Sequence, residues 1–79
     1  MAFYVKIRKV AEGHRVVRYS FQGGGPELGL LEINRENGEV SLVNSLADDH
    51  HNRMFDRAAV KLIRAWKAGV LPDETEWAS

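Results

Sequence analysis

Leu30-Leu31-Glu32-Ile33-Asn34-Arg35-Glu36-Asn37-Gly38-Glu39-Val40-Ser41-Leu42-Val43 decides the fold. Two runs with period-two hydrophobicity flank an Asn-Gly ending, and that dipeptide adopts the positive φ a tight turn demands. Pairing Asn34 with Glu39 sets Ile33 against Val40 and Leu31 against Leu42 on one face. Leu30 with Val43, and Glu32 with Ser41, then share the other.

A second hairpin lies upstream. Phe3-Tyr4-Val5-Lys6-Ile7-Arg8 and Val16-Val17-Arg18-Tyr19-Ser20-Phe21 alternate in the same way, with Ala11-Glu12-Gly13 between them as the expected loop. Pairing Val10 with His14 sets Ile7 against Val17, Val5 against Tyr19 and Phe3 against Phe21 on a core face. The reverse face takes Arg8 with Val16, Lys6 with Arg18 and Tyr4 with Ser20. A slip of one residue would scatter the apolar set between faces, so parity is strongly specified. Gly23-Gly24-Gly25-Pro26-Glu27-Leu28 joins the hairpins as a loop, because proline lacks the N–H that a ladder uses.

From Asp48 the period becomes helical. Phe55, Ala58, Ala59, Leu62, Ile63 and Trp66 recur at spacings of three and four and form one apolar stripe. Asp48 or Asp49 is the expected N-cap, and Gly69 followed by Pro72 the expected stop. The expected fold is α+β: a four-stranded antiparallel sheet, a meander of two β-hairpins, with one C-terminal helix packed on one face. Residues 1–71 make a single ββββα domain, and 72–79 an acidic C-terminal tail.

Composition narrows the activity. The chain has 79 residues, no cysteine and a formal charge of zero. That leaves no disulfide framework, no thiolate nucleophile and no finger-type zinc site. No apolar run approaches the roughly 20 residues that span a bilayer, so no membrane association is expected, and the expected setting is cytoplasmic. Charge alternates in blocks. Residues 1–20 carry five basic and one acidic side chain, 21–50 one basic and six acidic, 51–71 five basic and one acidic, and 72–79 three acidic. Such blocks either attract each other within the fold or form separate surfaces for different partners.

Few constellations carry chemistry. Asp48-Asp49-His50-His51 offers metal-competent groups, but neighbouring helical residues diverge by about 100°, whereas metal sites use ligands at i and i+4. A cap followed by two solvated histidines accounts for the run, and no metal or cofactor is expected. Gly23-Gly24-Gly25 lacks the Gly-Lys-Ser/Thr sequence and following helix of a phosphate loop. Glu32 faces the open side of the sheet, where water keeps a carboxylate ordinary. The expectation is therefore a non-enzyme.

Two surfaces remain. Beyond the helix-covered face, the sheet should display Tyr4, Lys6, Arg8, Val16, Arg18, Leu30, Glu32 and Val43, with Lys6 opposite Arg18 as a like-charge pair that favours an anion above it. On the helix, Arg53, Arg57, Lys61, Arg64 and Lys67 fall within about a third of the wheel, opposite the apolar stripe. Both point to a small macromolecular interaction module, protein-binding and on the scale of inhibitor or immunity-type proteins, with a homodimer as one form of it. Nucleic-acid binding, with Lys6, Arg8 and Arg18 on phosphates, is the alternative.

Overall fold

A computed structural model describes residues 4–47 and 49–78. Its order is β1 (Tyr4–Glu12), β2 (Val16–Gln22), β3 (Gly29–Asn34), β4 (Val40–Asn44), a 3₁₀ turn (His50–Asn52), α1 (Arg53–Lys67) and β5 (Glu74–Ala78). All strand pairs are antiparallel, in the spatial order β4-β3-β2-β1-β5. The sheet thus has five strands where four were expected. The segment read as an acidic tail contributes the fifth, because Thr75 and Trp77 alternate with Glu74 and Glu76 along the free edge of β1. Since β4 and β5 lie at opposite edges, α1 crosses the whole sheet between them and packs against every strand.

One face of the sheet is the core. Val5, Ile7, Val17, Tyr19, Phe21, Leu31 and Ile33 are fully buried beneath Ala58 and Leu62 of α1. Each such large aliphatic or aromatic side chain contributes about 1.5–3 kcal/mol. The β3–β4 hairpin keeps the expected pairs Ile33–Val40, Glu32–Ser41 and Leu31–Leu42, but Leu30 meets Asn44 across a bulge that leaves Val43 extra.

The first hairpin needs a correction. Ile7 pairs with Phe21, Arg8 with Ser20 and Lys6 with Gln22, a shift of four residues from the expected register. β1 stays extended through Glu12 and absorbs a bulge at Val10, so the turn falls on Gly13–Arg15, where the Gly13 N–H donates to the Val16 carbonyl at 2.9 Å. An even shift preserves parity, so the core side chains are those expected although their partners are not. Lys6 is not opposite Arg18. Phe3, placed opposite Phe21 in that expectation, lies outside the described residues.

The helix also begins later than expected. His51 and Asn52 both adopt left-handed backbone angles, φ 59° and 55°, a region that Asn and His tolerate better than most residues and that a helix cannot pass through. Asp49 still caps it: its buried carboxylate accepts the Met54 N–H at 2.7 Å and the Phe55 N–H at 3.0 Å. Asp48 lies outside the described residues. At the far end Gly69, at φ 91°, donates to the Trp66 carbonyl and Val70 to that of Ala65, a Schellman stop.

Gly38 ties the β3–β4 turn to the helix. Its φ is 74°, and a Cβ there would sit 2.6 Å from the Trp66 ring, whose Nε1–H donates to the Arg35 carbonyl at 2.7 Å. Gly38→Ala is expected to cost about 1–3 kcal/mol, read as a lower urea midpoint at unchanged slope. Gly24→Ala, where a Cβ meets open space, is expected to stay within about 0.5 kcal/mol.

Candidate functional site

Three surfaces could carry function. The first is the uncovered sheet face. Because alternate residues point away from α1, it presents Tyr4, Lys6 and Arg8 from β1, Val16 and Arg18 from β2, Leu30 and Glu32 from β3, Ser41 and Val43 from β4, and Glu74 and Glu76 from β5. All eight residues expected at a partner-binding sheet face are therefore brought together on one side.

Its electrostatics differ from expectation. Arg18 pairs with Glu32 on β3, Nη2 to Oε2 at 2.8 Å, instead of opposing Lys6. Arg8 lies 3.6 Å from Glu74, and Lys6 faces Glu76 across the β1–β5 ladder. The cations on this face thus each have a carboxylate alongside, and the repulsion expected to favour an anion is absent. Beside these exposed charges stand exposed apolar side chains: Tyr4 is 46% exposed, Val10 50%, Leu28 51% and Val43 45%. Val10 and Leu28 line a shallow groove with Lys6, Arg8, Ser20 and Gln22. Sequence reasoning omitted both. Val10 shares parity with Lys6 and Arg8, and Leu28 was assigned to a loop although it shares parity with Leu30.

The second surface is α1. Arg57 and Arg64 place their guanidinium carbons 5.3 and 5.6 Å from the centre of the Trp77 ring, which holds β5 under the helix. Sequence reasoning missed Trp77 in this role; its alternation with Thr75 was the available signal. Lys61 borders a groove with Tyr4, Lys6, Glu74, Thr75 and Glu76. Arg53 and Lys67 are exposed.

The third is a cleft of about 420 Å³ at the C-terminal end of α1, lined by Lys9, Glu12, Arg35, Trp66, Gly69, Val70 and Leu71. Its charges are spent on one another. Lys9 Nζ meets Glu12 at 3.0 Å, Asp73 at 3.4 Å and the Leu71 carbonyl at 3.4 Å, which occupies its three donors. The second Glu12 oxygen accepts from Arg35. Beside them the Tyr19 hydroxyl donates to the Pro72 carbonyl at 2.6 Å, and burial pushes that phenol above its ordinary value of 10.0. This is a clasp joining the first hairpin to the α1–β5 connection, with no nucleophile activated by it. Among the described residues no three His, Cys, Asp or Glu side chains converge to hold a metal ion, and no helix is long and apolar enough to cross a membrane. No protein-family model, curated protein or solved structure matches the chain.

The clasp has a pH signature. The hydrogen bond from Lys9, reinforced by the charges of Lys9 and Arg35, holds the Glu12 carboxyl below its ordinary value of 4.5. A carboxyl depressed in the folded state stabilises above its unfolded value, and the contribution is lost as pH falls through the folded one. Glu12→Gln is therefore expected to be less stable at neutral pH and to lose less on acidification below 4.5 than the parent chain. Parallel stability profiles for the two proteins would contradict the assignment.

Proposed function

We propose that this chain is a small non-catalytic interaction module that binds a protein partner through its uncovered sheet face. One observation carries the reading: of the five exposed large hydrophobic side chains among the described residues, Tyr4, Val10, Leu28 and Val43 lie on the face that α1 leaves bare, beside the cross-strand ion pairs Arg8–Glu74 and Arg18–Glu32. Only Val70 lies elsewhere, after α1. Apolar anchors surrounded by internally neutralised polar groups desolvate at low cost, as the buried centre of a protein interface must. The same pairing disfavours nucleic acid on this face, since a phosphate would have to displace Glu32 from Arg18 and Glu74 from Arg8. The charges of the cleft at the C-terminal end of α1 are consumed in the Lys9–Glu12–Arg35 clasp, which supports a non-catalytic role.

A second copy of the chain is one protein this face could take. The test combines sedimentation with capture from native-cell extract, using the parent chain, Leu28→Glu, Val43→Glu and Lys67→Ser. Expected is either a dimer or a defined captured protein that both sheet-face variants abolish and Lys67→Ser retains. A monomer whose captured proteins are indifferent to Leu28→Glu and Val43→Glu would overturn the reading.

A further inference from the structure

The charge pairing that neutralises the sheet leaves the opposite side of the molecule uncompensated. Arg8, Lys9, Arg18 and Arg35 each form an ion pair and Lys6 faces Glu76 across the ladder, whereas Arg15 at the first turn and all of Arg53, Arg57, Lys61, Arg64 and Lys67 form none among the described residues. At 100° per residue, Arg53, Arg57, Arg64 and Lys67 lie within a sector of about 80°, centred opposite Ala58 and Leu62, the two residues of α1 buried in the core. Lys61 stands at the rim of this sector beside the groove that holds Glu74 and Glu76. Asp56 flanks it on the other side, one turn from Arg53 and about 16 Å along the axis from Lys67. From Arg53 to Lys67 the ridge runs about 21 Å along the helix axis.

We propose that this ridge is a second binding surface, distinct from the sheet face, and that its ligand is the phosphate backbone of a nucleic acid. Its lack of an apolar anchor separates that ligand from an acidic protein. Between the cations the ridge offers only half-buried Val60 and exposed Ala68, whereas protein interfaces draw most of their affinity from large apolar or aromatic side chains seated in pockets. An anionic membrane is disfavoured for the same reason, because interfacial helices insert Trp, Phe or Leu. Phosphate contact needs only ordered cations at helical spacing. Trp77 supplies order here by drawing the guanidinium groups of Arg57 and Arg64 to the β5 edge of the ridge and holding them against its ring, so less rotamer freedom is lost when a phosphate is bound along that edge. The contact is independent of base sequence, because these side chains stand on a convex ridge and bind by charge.

Fluorescence anisotropy with labelled random-sequence duplex DNA, single-stranded DNA and RNA tests this, with polyglutamate and anionic vesicles as competing probes. With four phosphate contacts, binding at about 50 mM salt should weaken roughly a hundredfold by about 200 mM, with a log–log slope near −4 on duplex and −3 on single strands. Arg53→Ser combined with Lys67→Ser, two exposed side chains whose loss leaves the core intact, should bring the duplex slope near −2 while the circular dichroism spectrum stays unchanged. Leu28→Glu on the opposite face should leave the affinity unaltered, so failure here is separable from failure of the sheet-face reading. No nucleic-acid binding at about 50 mM salt, a salt slope that the double variant does not change, or preference for polyglutamate or vesicles would overturn the proposal.

Discussion

The crossing of α1 over the sheet is the constraint from which the rest of the structure follows. Ala58 and Leu62 seat on a layer built from Val5, Ile7, Val17, Tyr19, Phe21, Leu31 and Ile33, and all nine are fully buried. A single helix that must start at one edge strand and deliver the chain to the other has no freedom to cover both faces. The uncovered sheet face and the outward cationic ridge are therefore consequences of the same packing decision. Each surface is the reverse side of an element whose inner side makes the core.

Charge is distributed to match. The block alternation along the chain resolves into cross-strand neighbours: basic β1 beside acidic β5, Arg18 beside Glu32, and Lys9 among Glu12, Asp73 and the Leu71 carbonyl. Exposed pairs of this kind contribute only about 0–1 kcal/mol each. Their larger effect is to choose the partner of each strand and to leave the sheet face near neutrality. Among the described residues the cations without an ion pair include Lys6 and Arg15 besides all five of α1, and Trp77 holds two of the helix's cations against its ring at the edge strand.

How much of this could be read in the residues varied with how local the determinants were. The β3–β4 hairpin was legible because Asn37 and Gly38 fix the turn and the alternation fixes the face. A cap at Asp48 or Asp49 was legible, and Asp49 fills it, although two left-handed residues after it delay the helix to Arg53. The register of the first hairpin was not, because a bulge at Val10 has no sequence signature of its own, and Gly13 suits either turn placement; parity survived, so the core was identified with the wrong partners. β5 was hidden by its acidity. Glu74 and Glu76 look like a solvated tail until the basic outer side of β1, with Lys6 and Arg8, stands beside them. The eight sheet-face residues lie on the side that α1 leaves bare, but the interaction thought to mark them, Lys6 against Arg18, belonged to the discarded register.

Hydroxyl-radical footprinting of the dilute chain tests the one-sided covering of the sheet most directly, because it reports side-chain exposure face by face. Tyr4, Leu28 and Val43 should be oxidised readily while Tyr19, Phe21 and Leu62 are protected. Protection of Tyr4 and Leu28 in a monomer, or ready oxidation of Tyr19 and Phe21 under native conditions, would contradict a sheet with one buried and one open face.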